Sequence, residues 1–360
     1  MRAGFARRLS DVRQLARAEL RSLTTIQHSD RLWQMAFAAA LATGAPLLVG
    51  AWFGRIQYGL VSAIGGVVFL HLPHTPLYHR MVTLMACAFT LSACYTLGLF
   101  SHFVPVMVIP TIIFVAISVT LLVRFYSMGP PAGLFFIMAA SIGAYTPVQA
   151  LDVPLMVGLV TMGGLLATLI AFCYSLFTLR VREPDPVPRL RSGDFDYVIL
   201  DSVMIGAFVG LALAAAHVLQ LPRPYWVAVS CVAVIQGVSV RAIWRRQLHR
   251  VLGTGIGLVV AGGILTLPLN PWSIALTMIA LTFIVELTVV RHYAFAVVFI
   301  TPMTLLLAES SNLGAIPPAE LMRTRFFDTV LGCVVGLVGG LCLHDARFRE
   351  VVRRIMRQST

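Results

Sequence analysis

The chain has 360 residues, of which 58% are hydrophobic and 12% charged, and its formal net charge is +12. A soluble domain is nearer half apolar and a quarter charged, so this composition excludes an ordinary globular fold and predicts a polytopic membrane protein. The basic side chains are arginines standing between long apolar runs, which favours membrane orientation over nucleic-acid binding.

In chain order, residues 1–31 come first. Phe5, Leu9, Val12, Ala16, Leu20, Leu23 and Ile26 recur at three- and four-residue steps, with Arg7, Arg8, Arg13, Arg17 and Arg21 mostly between them. That pattern fits an amphipathic helix on an anionic membrane surface, and equally an ordinary solvated helix. It lacks the continuous apolar core of a cleavable signal. A membrane span needs roughly 20 apolar residues, somewhat fewer where a helix is short or interrupted. A first membrane repeat, 32–179, holds candidates near 33–53, 58–72, 81–100, 103–123, 128–146 and 154–178. A polar linker, 180–196, carries Pro184, Pro186 and Pro188. A second repeat, 197–344, holds candidates near 198–219, 225–239, 250–267, 272–289, 293–308 and 326–343, and a basic tail, 345–360, closes the chain.

The expected fold is therefore all-α and membrane-integral, with about twelve transmembrane helices in two parallel six-helix repeats. With both termini cytoplasmic and each span crossing once, only Arg55, Arg223, Arg323 and Arg325 of the 27 arginines fall on the far side. The repeat is legible by eye. Tyr58 and Tyr225 are separated by the same interval as Arg124-Phe125-Tyr126 and Arg291-His292-Tyr293, and Arg80 and Arg250 by nearly the same. Gly163, Ala167 and Ala171 correspond likewise to Gly332, Gly336 and Gly340, small residues at four-residue steps that let helices approach closely in lipid. The segments 58–72 and 225–239 are short at matched places, which points to a transport pathway or to tilted neighbours of re-entrant loops.

Ionisable groups inside spans cost roughly 2.5–3.5 kcal/mol on insertion scales and so mark functional candidates. Glu286 is the first choice for proton coupling, with Asp201 and Asp328 beside it; a static pairing of Glu286 with an arginine is the competing account. Asp328 follows Arg325 by three residues, so the two can meet on one helix face, as a local pair in the outer leaflet. Glu309, near a span end, is expected to be wetted. Arg241, Arg245 and His249 form a stripe at four-residue steps, with Arg246 and Arg250 adjoining, in an arginine-rich turn before Gly253-Thr254-Gly255-Ile256-Gly257 opens the next helix. Arginine holds a carboxylate bidentately, so Arg250, Arg241, Arg245, Arg80 and Arg291 are candidate substrate ligands; lipid phosphate is the alternative partner. Tyr225 and Trp226 could stack on an aromatic substrate or anchor the membrane interface.

The six cysteines lie in apolar segments without metal or disulfide spacing, and His71, His74 and His79 lack strict ligand spacing, so no metal and no cofactor is expected. No phosphate loop, zinc-protease pair or serine elbow is present, so the chain is not expected to be an enzyme.

The run PYWVAVSCVAVIQ, then arginines, then HRVLGTGIG, RHYAFAVVFITP and RFFDTVLGCVVG, resembles the fusaric acid resistance and aromatic acid exporter family. The resemblance is clearest from Tyr225 to Gly257. It implies a bacterial inner-membrane efflux protein that exports aromatic carboxylic acids at the expense of an ion gradient, often with a periplasmic adaptor protein. Many members carry large cytoplasmic domains, for which this chain has only the linker and a short tail. The expected function is thus efflux of small organic anions, coupled to protons. A passive organic-anion channel and a non-transporting scaffold or lipid-binding partner are the alternatives. The partners expected are the lipid bilayer, the organic anion, the adaptor and a second copy of the chain, with no nucleic acid.

Overall fold

The computed structural model describes residues 29, 31–188, 195–237, 239–309 and 317–345. The basic leader, the end of the linker and the basic tail lie outside them, apart from Ser29, Arg31 and Asp345. The described residues form helices and the turns that join them, without strands. In chain order the helices are α1 (Trp33–Trp52), α2 (Ile56–Gly66, continued as a 3-10 turn to His71), α3 (Leu77–His102), α4 (Val108–Phe125), α5 (Leu134–Tyr145) and α6 (Val153–Val181). They continue as α7 (Phe195–Val218), α8 (Tyr225–Ile235), α9 (Val240–Leu265), α10 (Pro271–Thr288), α11 (Tyr293–Glu309) and α12 (Pro318–His344).

Eight helical segments are long and apolar enough to cross a membrane, and α2, α5, α8 and α11 are shorter apolar helices. At 1.5 Å per residue the eleven residues of α2 and of α8 reach only about 16 Å, half of a hydrocarbon core. Large apolar side chains such as Phe37, Phe89, Phe114, Met162, Leu169, Leu211 and Val259 are exposed along the long helices. In water such a surface would be an aggregation liability; in lipid it is the outer coat.

Packing partners recur through the chain. Helix α2 packs on α6 and α8 on α12; α3 packs on α5 and on α6, as α9 does on α11 and on α12. The first half (α1–α6) meets the second (α7–α12) chiefly where α1 packs on α10 and α4 on α7. The largest hydrophobic core runs through both halves, from Met35 and Phe69 to Val227 and Ile235.

Two sequence expectations change here. The arginine-rich segment is no turn: Ser239 caps α9 by accepting the Ala242 amide at 3.2 Å, and the helix runs unbroken through Arg250 to Leu265. Gly253 and Gly257 therefore serve packing rather than turning. Cysteines in apolar segments are expected to be small buried residues; four are, but Cys173 is exposed and Cys342 half-buried.

Candidate functional site: a buried arginine cluster

The site forms where α8, α9, α11 and α12 converge, and glycines bring them there. A Cβ on Gly336 would lie 2.7 Å from the Cys231 carbonyl, and one on Gly332 2.7 Å from the Ser230 Cβ, so α12 rests against the α8 backbone. Gly253 and Gly257 bring α9 against α11 in the same way, 2.8 Å from the Ala294 carbonyl and 2.6 Å from that of Val298. Gly340, the last of the small-residue series, faces Ile243 instead.

Between these pairs lie Arg250 and Arg325, each 6% exposed. Arg250 stands about 15 Å along α9, a helix of about 39 Å, so its charge lies deep in the bundle. Its Nη2 donates to Ser230 Oγ at 3.4 Å, while its Nε has no partner. Arg325 donates from Nη2 to Thr304 Oγ1 at 3.2 Å, and its Nε and Nη1 are unfilled. The Arg325 guanidinium lies over the Trp226 ring, 3.5 Å from its centroid. A desolvated cation–π contact of this kind contributes about 2 kcal/mol, which offsets part of the cost of burial. Asp328, fully buried one turn further along α12, has both carboxylate oxygens without hydrogen-bond partners. Arg223, Trp226, Leu305, Leu321 and Arg325 line a small cavity of about 10 Å³, roughly the room of one water molecule.

Two buried guanidinium groups thus accompany one buried carboxylate, and three N–H-bearing nitrogens are without a hydrogen-bond partner. Buried charge is stable only when paired and hydrogen-bonded, so an arrangement with more buried guanidinium than carboxylate favours an anion beside it. The bidentate fork of arginine suits a carboxylate.

The structure brings together some of the sequence candidates and separates others. Arg250, Trp226 and Asp328 belong to the cluster. Arg325 and Asp328 are both buried, but neither Asp328 oxygen bonds to the arginine, so the local outer-leaflet pair expected from their spacing is not formed by a hydrogen bond. Trp226 is 2% exposed and covered by Arg325, so that ring face is not free for a substrate. Tyr225 stands beside it, 5.1 Å between ring centroids, and reaches Tyr145 of α5 at 5.8 Å. Arg241, Arg245 and Arg291 are exposed and lie outside the cluster. Arg80 is buried, but in the first turn of α3, where its Nε donates to the Thr75 carbonyl at 2.6 Å. Arg80 and Arg250 therefore occupy different depths in their helices.

The acids are divided too. Glu286 accepts from Arg31 Nη1 at 3.0 Å. Asp201 accepts from Arg124 Nη1. Among the described residues no group of three or more His, Cys, Asp or Glu could hold a metal ion. His71 Nε2 lies 3.1 Å from the Ala132 carbonyl, and His79 Nδ1 2.8 Å from Thr75 Oγ1. Arg325, Ser230 and Thr304 are the site residues that sequence reasoning missed. By sequence Arg325 is a far-side arginine able to pair locally with Asp328; the Thr301–Thr304 pair on the neighbouring helix is the further signal.

Every member of the cluster lies between residues 204 and 339. Residues 204–339 match the family model described as fusaric acid resistance protein-like. This fusaric acid resistance protein-like region begins within α7 and covers α8 to α11 and most of α12. Among curated proteins, an uncharacterized membrane protein YvaC of Bacillus subtilis is 35% identical over 156 residues, 41% of this chain and 25% of its own length. An uncharacterized protein YhfK of Escherichia coli is 24% identical over 168 residues, 42% of this chain and 23% of its own. The chain thus spans about a quarter of the length of these relatives. No solved structure matches it. The apolar helices, the family match and the membrane-protein relative together identify a multi-pass membrane protein.

Proposed function

We propose that this chain is an inner-membrane efflux carrier for small organic anions, with aromatic carboxylates as the best-fitting class. The observation that carries this reading is the excess of buried arginine over buried carboxylate at Arg250, Arg325 and Asp328. The family match, by its description, supports a role in resistance to an aromatic acid. The matching helix-packing partners in the first and second halves support two parallel six-helix repeats, and the arginine asymmetry of the sequence supports alternating spans with both termini cytoplasmic.

In the proposed cycle the substrate carboxylate takes the unfilled N–H groups of Arg325 and Arg250. Asp328 is the proton site. The substrate is carried outward while Asp328 is ionised; on the outer face the substrate leaves and Asp328 takes up a proton, and the empty, protonated site returns and gives that proton to the cytoplasm. Each cycle then exchanges one proton for one carboxylate, and the proton gradient drives export. Glu286 and Asp201 carry no proton in this scheme, because each already holds an arginine. Arg241, Arg245 and Arg291 attract the anion to the cytoplasmic face, and Tyr225 marks its way past Trp226.

The test is efflux of radiolabelled benzoate from cells with and without the chain, before and after collapse of the proton gradient at clamped membrane potential. Gradient-dependent efflux that falls at least tenfold in both Arg250→Gln and Arg325→Gln is the expected outcome. Efflux that survives the collapse would make the protein a passive channel. Efflux unchanged in both variants would remove the arginine cluster from the pathway.

A further inference from the structure

The two seams between the halves are built alike. In one, α1 lies against α10; in the other, α7 lies against α4. Gly44 of α1 faces Ile279 of α10, and Gly210 of α7 faces Ile113 of α4. The same interval separates the two glycines as separates the two isoleucines, so each seam sets a glycine of a half's first helix against an isoleucine of the other half's fourth. Each seam also ends in an ion pair. Arg31, just before α1, meets Glu286 in the last turn of α10 at 3.0 Å. Arg124, in the last turn of α4, meets Asp201 near the start of α7. In both, the start of a first helix meets the end of a fourth, so with alternating helices both pairs lie at one face of the bundle. At the opposite end of the first seam the contact is aromatic, Trp52 on Trp272 at 6.2 Å.

The charges are sorted by half. Both arginines come from the first half and both acids from the second, although the positions that carry them are exchanged between the seams. The carboxylates are buried, 6% exposed for Glu286 and 8% for Asp201, while their arginine partners keep partial contact with solvent.

We propose that Arg31–Glu286 and Arg124–Asp201 are matched clasps that hold the cytoplasmic ends of both seams shut, and that their release opens the arginine cluster to the cytoplasm. The cytoplasmic assignment and the cluster's role rest on the function proposed above. Water compensates the loss of an ion pair by solvating both charges as the seam wets, whereas a glycine–isoleucine contact has no such replacement. The clasped ends are therefore the part of each seam able to part, and the packed glycines below them are the fulcrum. Sorting all four charges by half lets both clasps part together as the two halves tilt.

The experiment reads opening directly and needs no substrate. In the full chain with its native cysteines replaced by alanine, Leu305→Cys places a thiol at the cavity beside Arg325. A membrane-impermeant maleimide is applied to inverted vesicles, whose outer surface is the cytoplasmic face. Glu286→Gln and Asp201→Asn should each raise the labelling rate at least fivefold, and together by more than either. Exchanging a pair, Arg31→Glu with Glu286→Arg, should return the rate to that of the unexchanged chain. A cysteine pair, Arg31→Cys with Glu286→Cys, should abolish labelling when oxidised and regain it on reduction. Labelling unchanged in both neutralised variants, or not restored by the exchanged pair, overturns the clasps. If a neutralised variant fails to accumulate, the oxidised cysteine pair decides alone: labelling that persists in it overturns the proposal. Benzoate efflux is measured in the same preparations. Absent efflux with clasp-dependent labelling defeats the transport reading and not the clasps; normal efflux with clasp-independent labelling does the reverse.

Discussion

At the scale of single residues, the cluster separates charge from geometry. Arg325 supplies both a positive charge and a flat guanidinium that lies on Trp226. Lysine keeps the charge but has neither the fork nor the planar face. Arg325→Lys should therefore lower benzoate efflux about tenfold, the equivalent of about 1.4 kcal/mol in transition-state binding, while the protein still accumulates in the membrane. Asp328→Asn should leave benzoate bound but abolish the dependence of efflux on the proton gradient; equilibrium binding to purified protein, compared with efflux, separates the two effects. His74 bears on stability instead. It lies at the surface of the connection between α2 and α3, outside the apolar helices, where partial desolvation, with the charge of Arg80 nearby, lowers its pKa below the usual imidazole value. A lowered histidine pKa means the unfolded chain binds the proton more readily. The stabilising contribution is thus complete above about pH 6.5 and is lost as the pH falls through the folded-state pKa. His74→Gln should be less sensitive to acid in thermal melts of detergent-solubilised protein between pH 7 and pH 5.

At the scale of helices, glycine spacing decides which backbones can touch. A side chain on Gly336 would collide with the backbone of α8, which cannot yield without moving Cys231 and Val234. Gly336→Val should destabilise the fold by about 1–3 kcal/mol or more, seen as a lowered melting temperature and reduced accumulation. Gly158, in α6, has open space where a Cβ would stand, and alanine is the better helix former by about 1 kcal/mol, so Gly158→Ala should be neutral or stabilising in the same assay. The expected helices and the described ones correspond closely, because apolar runs and their interruptions are local features. The exception was α9, whose first turns were read as loop because arginines dominate them. A helix end projecting from the apolar layer can carry charge without losing its backbone hydrogen bonds, and composition alone does not distinguish it from a loop.

At the scale of the molecule, the halves meet through two extended seams, α1 on α10 and α4 on α7, each with its ion pair. These contacts do not depend on the linker. Halves expressed as separate chains, divided between residues 188 and 195, should therefore co-purify through a tag on either one. Recovery of the tagged half alone would mean that covalent connection, rather than the seams, holds the bundle together.

Membrane class, helix positions and the asymmetry of arginines were determined by the amino-acid sequence itself, because hydropathy and composition act over short stretches of chain. The close approach of α12 to α8 was also legible, from small residues at four-residue steps. The partners of the buried charges were not. Glu286 finds Arg31 across 255 residues and Asp201 finds Arg124 across 77, and both pairs depend on which helices become neighbours. By sequence Arg325 is a far-side arginine beside Asp328, whereas α12 carries it between α8 and α11. Only tertiary packing decides whether a charge near a helix end faces water, lipid or another charge, because that depends on the surfaces brought against it and not on the residues beside it in the chain.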